Sequence, residues 1–565
     1  MNIKFVYPAA AATLLLLSGC TKSSKFAAKD FVVSPTPLEY VSGEVPATIS
    51  INIPAKAVKR NSIVTLTPSL SWGSNSAEST PVILQGEKVE ANYQIVSFKN
   101  GGHATVRAAW NYYDGMEESD LYMNVNQRNG SKSKDLGNIK IGYGVLSTSA
   151  LVSRTAATTE PSVALDQYQR VISQRQAATI KFLIGQSNLR NSELNNQTIK
   201  DFIQTLRNIK NDDQSLALKG VEVSAYASPD GGYSINERLA EQRSATGENY
   251  VRQQLRTNKL STDVDTKYTA EDWEGFQELV AQSNLKDKEL ILRVLSMYQD
   301  PEQREQEIRN VASVYTELAD AVLPELRRAR MTINYDVIGR SDEQILSTFA
   351  TQPKDLGIEE LLYAANELIT DDSRRADVLR KATELYPADN RAYNNLAVIA
   401  MRKGDKEQAK ELLLQALAKA PTASNANANM GLMALQAGNI DEAELYLGKA
   451  TGAAGLDEAM GNLYIAQGKY AFAAAKLENS ATNSALLAQV LNQNYAAAQE
   501  TIKAIKNPDS TTAYLRAILA ARQDDKSALR EALESAVQQD STLAARALRD
   551  IEFAKYKDIV SKIVR

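Results

Sequence analysis

"AYNNLAVIAMRKGDKEQAKELLLQALAKAP", residues 392–421, decides the architecture of the C-terminal part of this chain. Small residues at Ala397, Ala409 and Ala416 let two helices approach closely, and Leu396 and Leu413 fill the space between successive pairs. The stretch also repeats. Pro387 recurs as Pro421, and the same offset carries Gly404 to Gly438, Ala409 to Ala443, Leu413 to Leu447, and Ala416 to Ala450. Leu379 and Ala382 precede Leu413 and Ala416 by that offset again. Units that recur at such a period cannot bury their apolar face alone and stack on their neighbours. The register then slips: "GNLYIAQGKYAFAAAKLE" arrives early, with Gly468 answering Gly438 at a shorter offset. "NQNYAAAQETIKAI" and "RQDDKSALREAL" are shorter echoes, with Asn494 and Asp524 near the turns. An all-α region over 350–565 is expected, with five or six helix pairs from 356 to about 560.

The period and these residues resemble tetratricopeptide repeats, whose unit is about 34 residues long. The resemblance implies a scaffold whose concave face binds peptides or partner proteins. An array that only spaces or dimerises is the competing reading.

A chain of 565 residues predicts three or four domains. Lys+Arg 64 against Asp+Glu 68 leaves a net charge of −4, so nothing points to nucleic acid as a partner. His103 is the single histidine and Cys20 the single cysteine, which excludes a zinc cluster and a disulfide. His103 follows "NGG" at a strand start and reads as a surface position. No carboxylates pair in a catalytic setting and no glycine-rich phosphate loop appears. A non-enzymatic protein with no cofactor, no metal and no catalytic residue is expected.

The N-terminus, "MNIKFVYPAAAATLLLLSGC", has Lys4 and then an apolar run from Pro8 to Leu17, too short for a permanent membrane span. Leu17-Ser18-Gly19-Cys20 resembles the bacterial lipobox. That resemblance implies a signal peptide over 1–19, lipidation of Cys20 and a polar tether over 20–29. Thr21 rather than aspartate implies sorting to the outer membrane. Nothing in this stretch tells the periplasmic face from the cell surface; the periplasmic face is the expectation. Each buried CH₂ contributes roughly 0.8 kcal/mol, so the several acyl chains of a lipoprotein make a stable anchor.

Residues 30–155 alternate with period two. In "SIVTLTPSLSW", Val64, Leu66, Leu70 and Trp72 share one face. "TISINIPA", "YQIVSFKN", "HATVRAAWNYY" and "DLYMNVNQ" repeat the pattern between "GSNS", "NGG", "YDG" and "NGS" turns, which predicts a β-sandwich.

Residues 165–345 read β-α-β-α…β, an α/β layer fold. "ATIKFLIG" and "VEVSAYA" are strands and "RMTINYDVI" closes the sheet. "NQTIKDFIQTLRNI" is an amphipathic helix with Ile199, Phe202, Ile203 and Leu206 inward. "AYASPDGGYSINERLAEQRSA", within 221–245, then resembles the signature of the OmpA-like peptidoglycan-associated domain, in a form similar to Bacteroidota members. Asn236 falls on the family's asparagine, Leu239-Ala240 on its Leu-Ser, and Arg243-Ser244 on its Arg-Ala. The family's aspartate and arginine grip the ammonium and carboxylate of a diamino acid in the wall peptide. A guanidinium forks two bonds to a carboxylate and an aspartate takes the ammonium, so the pairing has a physical basis. Here Ser228 stands where the aspartate belongs, and Asp230 lies just beyond it. The resemblance therefore implies Ser228, Asp230, Asn236 and Arg243 as peptidoglycan-binding residues; a docking unit in which Asp230 only caps its turn is the alternative. A helical insertion over 256–325, with Trp273 and Phe276 as its core, departs from the family's usual length.

Together these features predict an outer-membrane lipoprotein that joins lipid, wall and proteins. The alternative is an accessory subunit of an outer-membrane assembly, secretion or fimbrial machine, in which the repeats bind the partner and the OmpA-like domain is a scaffold.

Overall fold

The computed structural model describes residues 25–285, 288–310 and 318–564. The signal peptide and Cys20 lie outside them. The chain divides into two compact units, one formed by residues up to Leu165 together with Ile369–Arg565, the other by Asp166–Leu368.

In the first unit the period-two region forms two largely antiparallel sheets. Strands β1 (Phe31–Ser34), β3 (Glu44–Ile53) and β8 (Gly102–Asn111) make one, in the order β1-β3-β8. The other runs β10 (Lys132–Tyr143), β9 (Asp120–Asn129), β4 (Ile63–Trp72), β6 (Val82–Gly86) and β7 (Gln94–Val96), with β5 (Asn75–Glu78) paired to β4. A short parallel pair, β2 (Leu38–Glu39) with β11 (Val145–Leu146), completes the region. Alternation dictates the packing. Val45, Ile49, Ile51 and Ile53 of β3 meet Val64, Leu66 and Leu70 of β4 and Leu121, Met123 and Val125 of β9 in one core. His103 is exposed on β8.

After β11 the chain enters helix α1 (Val152–Thr158) and then an extended segment over 159–165. Leu151, Val152 and Ala156 are buried in the same cluster as the repeat helices. Sequence reading treats the β region and the repeats as separate domains; these contacts make them one body.

The second unit is a four-stranded sheet of β12 (Val171–Lys181), β13 (Leu216–Tyr226), β14 (Val264–Thr269) and β15 (Arg328–Ile338), in the order β12-β15-β13-β14. Only the β13–β14 pair is parallel. Helices α2 (Gln197–Asn211) and α3 (Tyr233–Thr257) cover it. Ile199, Phe202 and Leu206 of α2 are fully buried, as the spacing predicts, while Ile203 is half-buried. Gly247 lies inside α3 because a Cβ there would sit 2.8 Å from Val223 Cγ1. Residues 256–325 are not wholly a helical insertion, since Val264–Thr269 is an edge strand. The remainder holds α4 (Trp273–Gln282), α5 (Lys288–Met297) and α6 (Pro301–Asn310), around a small core that includes Phe276, Val280 and Ile291. Ile358–Tyr363, expected within the repeat array, belongs to this unit: Tyr363 packs on Tyr168 and Arg340 pairs with Glu360.

The array begins with α7 (Asp372–Leu385) and continues as five antiparallel pairs among the described residues. These are α8 (Asn390–Lys403) with α9 (Lys406–Lys419), α10 (Ser424–Gln436) with α11 (Ile440–Leu447), and α12 (Leu456–Ala466) with α13 (Tyr470–Lys476). Then come α14 (Asn483–Leu491) with α15 (Tyr495–Ala504) and α16 (Ser510–Arg522) with α17 (Lys526–Gln539). Gly404 and Gly438 close α8 and α10 at φ 77, the left-handed conformation that lets the chain reverse within a short turn.

The pairs close most tightly where glycine replaces alanine. A Cβ at Gly431 would meet Leu447 Cγ at 2.5 Å, and one at Gly461 would meet Leu477 Cδ1 at 2.4 Å. Leu477 is fully buried and has no room to swing aside. Gly461→Ala is therefore expected to cost about 1–3 kcal/mol in overpacking, offset by about 1 kcal/mol of helix propensity. A lowered urea midpoint checks it; an unchanged or raised one contradicts the close approach.

Candidate functional site

Two places in the fold gather polar side chains that the sequence marks or that the structure reveals. The first is the loop after β13. Ser228 and Asn236 are buried and Asp230 is half-buried. Ser228 Oγ donates to Asp230 Oδ1. Arg327 then closes the group, its Nη2 donating to Asp230 Oδ2 at 2.7 Å and its Nε to Ser228 Oγ at 3.1 Å. Asn236 Nδ2 donates to the Gly231 carbonyl at 2.7 Å and pins the loop to the start of α3. Arg309 of α6 donates to the Asp230 carbonyl at 3.0 Å, so the helical segment covers the loop from outside.

Arg243 does not face an open cavity. It is 1% exposed, and its three kinds of nitrogen donate to main-chain carbonyls: Nε to Gln186 at 3.1 Å, Nη1 to Tyr226 at 2.9 Å and Nη2 to Leu183 at 3.4 Å. Its guanidinium carbon lies 5.4 Å from the Phe182 ring centroid. Burial pushes the Arg243 guanidinium down to about 10, Arg327 adds to the drop and Asp230 opposes it. The structure thus brings Ser228 and Asp230 together around Arg327, which sequence reading passes over, and sets Arg243 beneath them as a brace between β12, β13 and α3. The only signal for Arg327 is its place in "LPELRRARMTINY", at the start of the closing strand.

The second place is the face of the array formed by α8 and α10, occupied by the chain itself. Segment 159–165 runs across α8 and α10 in extended form, and asparagine side chains read its backbone. Asn395 binds Ala164 twice, accepting from its N–H and donating to its carbonyl, each at 2.8 Å. Asn429 does the same for Ser162, at 2.7 and 2.8 Å. Asn394 adds a donor to the Ser162 carbonyl at 3.0 Å, and Asn425 donates to the Val163 carbonyl at 3.0 Å and to Ser162 Oγ at 2.9 Å. Asn394, Asn395 and Asn429 are each at most 3% exposed and are also linked to one another, Asn394 donating to Asn395 and Asn429 to Asn394, each at 3.0 Å. Each such bond contributes about 0.5–1.5 kcal/mol net, more where loss would strand a buried group. Two-point reading of main chain by an amide is how an extended peptide is held without regard to most of its side chains.

Further along the groove, Asn462 accepts from Thr155 Oγ1 at 2.7 Å and donates to Thr159 Oγ1 at 3.1 Å, while α1 packs its apolar side against the helices. None of these asparagines is a candidate from sequence. A signal is nevertheless present: Asn395 and Asn429 are separated by one full repeat, in step with Ala409 and Ala443.

Glu458 sits beside this network and accepts from Ser484 Oγ at 2.9 Å. Burial pushes its carboxyl above the usual range, against the hydroxyls of Ser484, Thr482 and Thr159. The folded value lies above the unfolded one, so folding favours the protonated form. Stability falls as pH rises from about 4.5 through the folded value, and the penalty is complete above it. Glu458→Gln is expected to raise the urea midpoint at pH 7 and to lose that advantage near pH 4. A variant less stable than the parent at pH 7 contradicts this.

Among the described residues, no group of three or more His, Cys, Asp or Glu side chains is placed to hold a metal ion, and no helix is long and apolar enough to cross a membrane.

The family model for the tetratricopeptide repeat matches residues 390–423, which are α8, α9 and the turn after them. The C-terminal region therefore carries a tetratricopeptide repeat. No curated protein sequence matches the chain. Several solved repeat structures are similar over about two fifths of it. One is a tetratricopeptide repeat protein from Parabacteroides merdae, at 13% identity over 40% of this chain and 89% of that one, with a TM-score of 0.27. PilW, a type IV pilus biogenesis factor, shares 16% identity over 38% of this chain and all of its own, at 0.28. YrrB, described as having an unusual peptide-binding site, shares 17% over 37% and 98%, at 0.23. These likenesses are slight, and no functional weight rests on them.

Proposed function

We propose that this chain is a non-enzymatic adaptor of the cell envelope. In this reading Cys20 carries lipid and holds the protein at the outer membrane, on the periplasmic face, and the repeat array binds segments of partner proteins. The observation that carries the adaptor role is the groove across α8 and α10, whose asparagines hold an extended peptide backbone by paired bonds. The lipobox supports the anchor. Crosslinking in cells tests the first part: deleting 372–565 should remove the crosslinked partner. Retention of that partner by the truncated chain would refute it. Cys20→Ser tests the second, and should release the protein from the membrane fraction.

The middle unit is proposed as an OmpA-like domain that acts chiefly as a scaffold, as in an accessory subunit of an assembly, secretion or fimbrial machine. One observation favours this over capture of peptidoglycan: the Asp230 carboxylate is already bound by Arg327 and Ser228, and Arg243 is committed to carbonyls. Wall binding would require Asp230 to leave Arg327. Purified sacculi should therefore retain the parent and Asp230→Asn equally poorly. Strong retention of the parent, lost in Asp230→Asn, would restore the wall-binding reading.

A further inference from the structure

The resident segment states what the groove accepts. Side chains of an extended strand alternate, and here Ser162 and Ala164 are buried against the array while the exposed Glu160 reaches only its rim. Glu160 pairs with Arg402 at the end of α8, its Oε1 accepting from Arg402 Nε at 3.0 Å. Ser162 is 3% exposed with its hydroxyl bound by Asn425, and Ala164 is 4% exposed. Both positions are enclosed. The intervening Pro161 and Val163 are half-buried, and Leu165 is 70% exposed.

The hold on this segment differs from that on α1. The helix is fixed by apolar burial, with Val152 and Ala156 inside the repeat core. Residues 160–164 are held by hydrogen bonds and one rim ion pair, interactions that a second peptide of the same kind reproduces one for one. The segment is thus a hydrogen-bonded plug beside an apolar peg.

Building on the adaptor reading above, we infer that the part of the groove on α8 and α10 is the docking site for a partner segment of the form acidic-x-Ser-x-Ala in extended conformation, and that residues 160–164 are its built-in competitor. The partner is a protein segment bearing that alternation. It enters as the plug leaves, so the asparagines stay satisfied throughout. Side-chain specificity is confined to two enclosed positions and one basic residue, which makes the site selective for size and charge rather than for a long sequence.

A labelled peptide of the sequence TTEPSVALD, copied from residues 158–166, is the probe. Full-length protein in which 160–165 is replaced by a glycine-serine run of equal length should bind it saturably, and the parent at least tenfold more weakly. Adding Asn395→Ala and Asn429→Ala to the replaced protein should abolish binding. On the unmodified protein, excess peptide should speed hydrogen exchange at the Ser162 and Ala164 amides, a readout that requires no variant to fold. No binding by the replaced protein together with unchanged exchange in the parent overturns the inference, as does binding that survives loss of both asparagines. Dimers of the parent that the peptide dissolves would assign the site to the plug of a second copy and overturn the partner-segment form. If a partner crosslinks to the array while the peptide fails, this inference falls and the adaptor reading stands; peptide binding with no crosslinked partner sinks the adaptor reading alone.

Discussion

Arg243→Ala is expected to destabilise the α/β unit by about 3 kcal/mol or more. The side chain is almost fully enclosed and donates to three main-chain carbonyls, those of Leu183, Gln186 and Tyr226. Alanine would remove all three donors and open a void against Phe182, while the Leu183 carbonyl keeps the Gln186 N–H, so most of the cost falls on the lost packing and on the Tyr226 carbonyl. Arg243→Lys should recover little, because one ammonium cannot span three directions that a planar fork reaches. Peptide-resolved hydrogen exchange on the full chain checks this. Protection should drop across β13 and α3 while the repeat helices keep theirs. Unchanged protection in β13 would mean the arginine is not the brace described.

The second large effect is expected at the far end of the array. Arg546 donates to the Ser147 carbonyl at 2.8 Å, and its Nε lies 3.9 Å from Asp550 Oδ2, a charge contact beyond hydrogen-bond length. Asp550 is 3% exposed and accepts from the fully buried Tyr514 at 2.8 Å. Burial raises the Asp550 carboxyl, and Arg546 is the largest of the pulls that oppose it. Removing one partner of such a pair typically costs about 3–5 kcal/mol, whereas replacing both by apolar groups is often neutral. Arg546→Ala should therefore lower the unfolding midpoint severely, and Arg546→Met with Asp550→Leu should recover most of the loss. A double variant as weak as the single one would show that the hydrogen bonds to Ser147 and from Tyr514, not the charge pair, carry the energy.

What sequence alone discloses divides along physical lines. Helix pairs announce themselves because close approach demands alanine or glycine at set intervals, as at Ala397, Gly431 and Gly461. The β region is legible because one face of β3 and β4 is dry and the other wet. Strand β14 escapes because it is an edge strand exposed at nearly every residue, "VDTKYT", with no apolar rhythm to detect. Arg327 escapes because its acid is 97 residues away. The asparagine groove escapes for the same reason at greater range, and because asparagine signals turns and caps more often than interiors. Ile358–Tyr363 carries a helical pattern that fits either neighbour; the contact of the Tyr363 ring with Tyr168 settles which one.

The split of the first unit around Asp166–Leu368 has a consequence for biogenesis. During synthesis the plug leaves the ribosome long before the asparagines that will seat it, since Ala164 and Asn395 are 231 residues apart. The intervening unit has its own core and can fold while the nascent chain waits. The β-sheets close on their own core, but Leu151, Val152 and Ala156 have no cover until the repeats are made.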